Sequence, residues 1–417
     1  MKTLWLCNGI LKRVAKALDI AENPVSGWLD GAAEGLLTDG AYTLTAVFPY
    51  SKNLRGTADG IGYVTFGEKD RKKMRAMFVA VLREIKPDIV HIFGTEFYHS
   101  KAMAEACKGE NIPFVVGIQG LVSEYARHYF AFLPEKIIRK NTFRDLLRRN
   151  NIKRQADVFG RRGKWEIETL CMAEHVIGRT DWDKACVYAI NPNADYHFCN
   201  ETLRPAFYGQ AWSADNCERH SLFASQSGYP IKGFHLLLEA AAILKRDYPD
   251  LKIYTTGASV FNPTFSQRLH RTYYKKYLAD LIVRYGLQDS VVFLGSLKEE
   301  EMCRQYLKAH VFVLPSSIEN SPNSVGEATM LGVPTVASDV GGVKNLMTHG
   351  EDGFVYPYDE PKVLAWYIKK IFDDDELALR FSESARKRAE KIYDVQKNAD
   401  RLREIYKTVT GKRENGS

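Results

Sequence analysis

Short apolar runs alternate with longer stretches whose apolar residues recur every three or four positions, and the alternation is played twice along the chain. A strand period followed by a helix period, repeated, is the pattern of a parallel sheet, because each parallel strand reaches the next through a crossover that also covers the sheet. In the first half, strands are expected at 3–7, 42–49, 61–66, 88–93, 114–118 and 175–179. Helices are expected at 71–85, before KPDIVHIFG, and at 101–108, before NIPFVVGIQG. After the polar stretch 212–220 the rhythm restarts, with strands at 222–225, 252–256, 291–294, 311–314, 334–337 and 354–356 and a helix at 234–245. At 417 residues the chain exceeds one ordinary core. The expected fold is α/β, with two Rossmann-like doubly wound domains facing across a cleft. The first spans 1–208 and the second 209–392. Residues 393–417 are expected to form an amphipathic C-terminal helix that packs back on the first domain.

Composition removes several classes of function. Hydrophobic residues make up 45% and charged residues 26%, with no apolar run long enough to span a bilayer. The opening TLWLC reads as a first strand rather than a leader, so a cytoplasmic protein is expected. Seven scattered cysteines without a CxxC pair argue against a disulfide framework and a zinc site.

The net charge of +7 is concentrated. Residues 125–165 interrupt the strand-helix rhythm as a basic insertion, expected in the first domain. Between Lys136 and Lys164 lie eleven Lys or Arg residues against Asp145 and Asp157 alone. No nucleic-acid motif accompanies them, and aromatics are not spaced to stack on bases. An anionic membrane surface, with the protein peripheral on its inner face, a phosphorylated acceptor, and a merely solvated helical face are all consistent with this run.

The chemistry concentrates in SSIENSPNSVGEATMLGVPTVAS, residues 316–338. The stretch leaves a strand, crosses a Ser/Asn/Pro loop, enters a helix near Gly326 and turns at Gly332 into another strand. Ligands of open parallel sheets bind at such strand-to-helix edges, and a first helical turn presents free N–H groups to a diphosphate. Glu319 and Glu327 stand eight residues apart across the loop, and a carboxylate can accept from two vicinal sugar hydroxyls. Ser324-x-x-Glu327 also fits a capping box, which needs no ligand.

Glu319-x7-Glu327 followed by EATMLGVPTVASDVGG resembles the E-x7-E signature of glycosyltransferase family 4. YPIKGFHLLLEA, residues 229–240, is similar to that family's K-G segment, and VVFLGSLKEEEMCRQYLKAHVFVLPS to its F-x-G loop. The resemblance covers residues 221–357 and implies the GT-B fold and a retaining transfer of a hexosyl group from a UDP- or GDP-sugar to an acceptor hydroxyl. It implies that Lys232 neutralises the diphosphate, that Glu327 holds the ribose and that Glu319 lies near the transferred sugar. Amides of Asn320, Ser321, Asn323 and Ser324 would surround sugar and phosphate, and Ser296 and Leu297 would line the base. A carbohydrate or lipid-linked acceptor of bacterial surface polysaccharide or glycolipid synthesis would fit, with no cofactor and no metal.

Several positions, most of them in the first half, depart from the family. Only Gly27 stands where relatives carry a Gly-Gly loop, Gln119 replaces a histidine in GIQG, and Gln226 and Ser227 stand where an Arg is usual. Arg179 and Arg204 are candidates for the missing charge, and Glu96 and His99 for contact with acceptor or sugar. His91 reads better as a structural histidine. Asp181-Trp-Asp183 has the D-x-D form of metal-dependent transferases, yet capping by Thr180 or Asp181 explains it more simply. An epimerase or hydrolase on the same fold, and a binding partner without activity, are the competing readings.

Overall fold

In the computed structural model, which describes residues 1–20, 27–67, 71–261 and 271–411, the two rhythms become two sheets. The first contains β1 (Lys2–Leu6), β2 (Thr43–Pro49), β3 (Arg55–Ala58), β4 (Ile61–Phe66), β5 (Ile89–Phe93), β6 (Phe114–Gly117), β7 (His175–Gly178) and β8 (Asp195–Phe198). Its order is β3-β4-β2-β1-β5-β6-β7-β8; the β3–β4 pair is antiparallel and the other pairs of these strands are parallel. Successive side chains of a strand point to opposite faces. Accordingly Leu4 and Leu6 pack with Phe78 and Met103, whereas Trp5 and Cys7 pack with Leu29, Leu36 and Tyr406. Helices Arg71–Ile85 and Tyr98–Gly109 therefore cover one face, and helices Gly27–Leu37 and Val395–Val409 the other.

The second sheet contains β9 (Glu218–Ala224), β10 (Lys252–Thr255), β11 (Val291–Phe293), β12 (Ala309–Leu314), β13 (Thr335–Ser338) and β14 (Phe354–Tyr356). Its pairs are parallel, in the order β11-β10-β9-β12-β13-β14. Counted from its own first strand this is 3-2-1-4-5-6, the doubly wound arrangement, whose direction of winding reverses between β9 and β12. The strands that the apolar pattern misses are β3 and β8, both at sheet edges. Their sequences, RGTA and DYHF, are largely exposed or half-buried, so neither carries a continuous apolar run.

The chain divides into two compact units: Met1–Ser123 with Arg161–Pro205 and Tyr393–Ser417, and Glu124–Gly160 with Ala206–Ile392. This corrects the expected place of the basic insertion. Residues 124–160 belong to the second unit because their polar groups are spent there. Asp145 accepts a hydrogen bond from the backbone N–H of Tyr273 at 2.9 Å, and the carbonyl of Ala131 accepts one from His235 Nε2 at 2.7 Å. Ser317 Oγ donates to the carbonyl of His128 at 2.9 Å. Among the described residues no helix is long and apolar enough to cross a membrane, and all seven cysteines are free.

Candidate functional site

At the reversal point of the second sheet, the carboxyl ends of β9 and β12 diverge and leave a cavity of about 150 Å³. Its walls include Ser225 and Gln226 after β9, Pro315 and Ser316 after β12, and Lys232, Glu319, Asn323 and Ser324. Lys232 ends a short 3-10 turn, Pro230–Lys232, and the following Gly233 has φ 64° and begins the entry to helix Phe234–Leu244. A Cβ at position 233 would overlap the carbonyl oxygen of Pro315. The Lys-Gly pair is thus two requirements, a cation and a backbone without a side chain, placed side by side.

The cation meets a carboxylate. Lys232 Nζ lies 2.6 Å from Glu319 Oε1, which also accepts from Ser316 Oγ at 2.7 Å. Glu319 is only 7% exposed. Its carbonyl accepts from the N–H of Gly342 at 3.2 Å, and a Cβ at Gly341 would overlap that same oxygen. The Asn320 N–H donates to Tyr125 Oη at 3.2 Å, so the loop is clamped from the Gly341-Gly342 turn on one side and from the insertion on the other. The sequence separates Lys232 and Glu319 by most of a domain and assigns them to different parts of a ligand. In the structure they are one ion pair.

The helix that follows the loop spans Asn323–Leu331, starting three residues before Gly326. Its N-cap is Pro322, with no side-chain cap bond, so the capping box expected from Ser324 and Glu327 does not form. Both residues are already inside the helix, and Glu327 is buried on it. Asn323 Oδ1 is buried at the cavity wall without a hydrogen-bond partner among the described residues. A buried amide oxygen without a partner is costly, and a hydroxyl or N–H of a ligand would satisfy it. Ser321 is buried in the loop outside the cavity lining. Ser296 is exposed and Leu297 half-buried beyond β11. Their loop is shaped by a bridge between Gly257 and Gly295, and neither residue lines the cavity.

In the first unit the expected residues fall into two groups. Gln119 and Arg179 line a cavity of about 40 Å³ at the carboxyl ends of β5, β6 and β7. Both engage Glu201: Gln119 Nε2 donates to Oε1 at 2.6 Å and Arg179 Nη1 to Oε2 at 2.6 Å. Burial raises the Glu201 carboxyl above the ordinary range, opposed by the Arg179 charge. Nothing in the FCNETLR segment marks Glu201, whose partners lie 82 and 22 residues earlier, just after β6 and β7. The other group joins Glu96 and His99 through Asn8, whose Nδ2 donates to Glu96 Oε1 at 2.7 Å and whose Oδ1 lies 2.6 Å from His99 Nε2. Glu96 is pushed up to about 7, chiefly by burial and also by the Glu166 charge, and burial lowers His99 to about 3. Neither residue lines the 40 Å³ cavity.

His91 is buried, bonded through Nδ1 to Tyr406 Oη at 2.7 Å and stacked on Phe93; its ring also lines the 40 Å³ cavity, where its Nε2 is buried without a hydrogen-bond partner among the described residues. Gly27 opens helix Gly27–Leu37 and packs against the side chain of Arg204. Asp183 of the D-x-D pair belongs to a capping box in which Thr180 accepts from the Asp183 N–H and Asp183 reaches back to the N-cap N–H, while Asp181 is exposed in the first turn. Asp183 is fully buried and also accepts from Tyr196 Oη and the Arg179 N–H. Among the described residues no group of three or more His, Cys, Asp or Glu side chains is gathered as a metal site would require.

Residues 217–388 match the profile of glycosyl transferases group 1, a span that lies within the second unit and holds both walls of its cavity. A D-inositol 3-phosphate glycosyltransferase of Corynebacterium urealyticum is 29% identical over 244 residues, which is 57% of this chain and 54% of that protein. The chain thus spans about half the length of this curated relative. Sucrose-phosphate synthase from Thermosynechococcus elongatus superimposes with a TM-score of 0.71 at 16% identity, covering 99% of this chain and all of the other. Anabaena Alr3699/HepE in complex with UDP-glucose gives a TM-score of 0.68 at 17% identity, covering 98% of this chain and all of the other. The protein therefore has the GT-B architecture, and residues 217–388 of its second unit match the glycosyl transferases group 1 family.

Proposed function

We propose that this protein is a retaining hexosyltransferase that uses a UDP- or GDP-sugar, with the donor diphosphate bound in the cavity between β9 and β12. The observation that carries this reading is the Lys232–Glu319–Ser316 constellation at the reversal point of a sheet in a group 1 domain. The likeness to a protein described in complex with UDP-glucose supports a uridine donor.

In the proposed reaction the bond between the anomeric carbon and the diphosphate oxygen breaks, and a bond from that carbon to the acceptor oxygen forms on the same face. The acceptor proton passes to the departing diphosphate, so no protein carboxylate has to serve as nucleophile. Negative charge grows on the leaving group, and Lys232 is the cation placed to stabilise it, together with N–H groups at the start of helix Asn323–Leu331. Glu319, already held by Lys232 and Ser316, orients a hydroxyl of the transferred sugar, and Glu327 holds the ribose. Gln119 does not act as a base, since an amide cannot accept a proton at neutral pH. With Asp183 committed to its capping box, transfer runs without a divalent ion held by the D-x-D acids. The acceptor is a carbohydrate or a lipid-linked glycan.

A thermal-shift panel of nucleoside diphosphates and their sugars tests the donor, because ligand binding to the native state raises its stability. A UDP- or GDP-sugar should raise the melting temperature, and Lys232→Ala should abolish the rise. Sugar release that is equally fast without any acceptor would make the protein a hydrolase and overturn the transfer reading. Activity lost in chelator and restored by manganese would overturn the metal-free one.

A further inference from the structure

Helix Phe143–Leu147 turns the wrong way for a surface helix. Its polar side faces inward: Asp145 is buried, caps its own helix by bonding the Thr142 N–H at 3.0 Å, and bonds the Tyr273 N–H as well. Phe143, Leu146 and Leu147, at i, i+3 and i+4, share the opposite face and are 70%, 63% and 73% exposed. An amphipathic surface helix ordinarily buries that face. Here the buried carboxylate pins the helix so that it cannot roll its apolar side under.

Around this tip the chain is cationic. Lys136, Lys140, Arg148, Arg149, Lys153 and Arg154 are all exposed. Two exposed carboxylates share the stretch, Glu135 and Asp157, and the first is already paired with Arg139 at 2.6 Å. An excess of cations around a protruding aromatic and two leucines matches an anionic bilayer in both of its layers. The cations meet lipid phosphates at the headgroup level, and the apolar tip reaches the acyl boundary beneath. An acidic protein surface would match the cations but leave the apolar tip unmatched.

We propose that Phe143, Leu146 and Leu147, with the flanking Lys and Arg residues, form a wedge that docks the second unit on anionic lipid. The inference does not depend on the sugar-transfer reading, because vesicle binding is measured without any reaction. The test uses the full chain with vesicles of phosphatidylglycerol and phosphatidylcholine, and with phosphatidylcholine alone. Wild type should sediment with the anionic vesicles only, and less at high salt, where charges are screened. The substitution F143S/L146S/L147S, confined to exposed positions, should keep the wild-type melting temperature and weaken vesicle binding at least about tenfold. In a Phe143→Trp variant, emission of the introduced tryptophan should shift to the blue on binding and be quenched by brominated acyl chains. Unchanged vesicle affinity in the triple variant, or no quenching of the introduced tryptophan when bound, would overturn the wedge. So would a concentration-dependent dimer abolished by the triple substitution, which would give the face to a second copy of the chain.

Discussion

Glu319 shows how much a single side chain can be asked to do. It is nearly buried, yet its charge is balanced by one lysine and one serine hydroxyl. Removing Lys232 leaves a carboxylate with the serine alone, so Lys232→Ala should lower stability by about 1–3 kcal/mol in urea denaturation. Adding Glu319→Gln should recover part of that loss, since a neutral amide needs no counter-charge. Catalysis should behave differently. Each single substitution is expected to reduce kcat/KM by at least about 100-fold, with no recovery in the double variant. A double variant that regains activity would mean that the pair serves only the fold. Glu96 offers a second residue-scale test. Its carboxyl is raised from 4.5 to about 7, so the folded state keeps a proton that the unfolded chain releases. Stability from this group is fully present below about pH 4.5 and is lost as the pH rises through 7. Glu96→Gln cannot ionise, so its stability relative to wild type should rise by up to about 3 kcal/mol between about pH 4.5 and pH 8. A difference that stays flat with pH would contradict the buried, partly protonated state.

Among elements, the turns carry the geometry of the cavity between β9 and β12 and the strands merely support it. Gly233 needs both a positive φ and the absence of a side chain, because the Pro315 carbonyl occupies the space of a Cβ. Gly209 also has a positive φ, but no described atom lies within 4 Å of a Cβ there. Gly209→Ala should therefore cost about 1–2 kcal/mol, the left-handed penalty alone. Gly233→Ala should cost clearly more and should also weaken donor binding by moving Lys232. Equal costs in chemical denaturation would remove the steric argument. Helix starts are unevenly legible. Thr180-x-x-Asp183 forms the capping box its sequence suggests, whereas Ser324-x-x-Glu327, equally well spaced, forms none. The reason is Pro322: it sets the helix entry one residue before Asn323, which carries Ser324 past the cap position. Buried central strands are legible because both their faces are covered and their sequences run apolar, as in LWL of β1 and HVFVL of β12. Edge strands β3 and β8 lack that signal for the opposite reason.

At the scale of the whole molecule, the chain does not divide at one point. The first unit recovers its last helix, Val395–Val409, from the far end of the sequence, and that helix supplies Leu402, Ile405 and Tyr406 to its core. The second unit takes 124–160 from the middle of the first half. A fragment of residues 1–205 should therefore lack a cooperative melting transition, since it loses three core side chains and carries an insertion without its partners. A sharp transition in that fragment, followed by circular dichroism, would contradict the division. The sequence by itself determined two parallel α/β rhythms, the strands other than edge strands β3 and β8, the loop that holds Glu319 and the Lys-Gly turn at Lys232, because periodicity, glycine and turn chemistry are local properties. Only the tertiary structure decided that Lys232 and Glu319 are one ion pair, that Glu201 joins Gln119 and Arg179, and that the basic insertion belongs to the second unit. Each of these rests on which donor finds which acceptor at a distance in sequence, and such a match is made by packing, which no local pattern encodes.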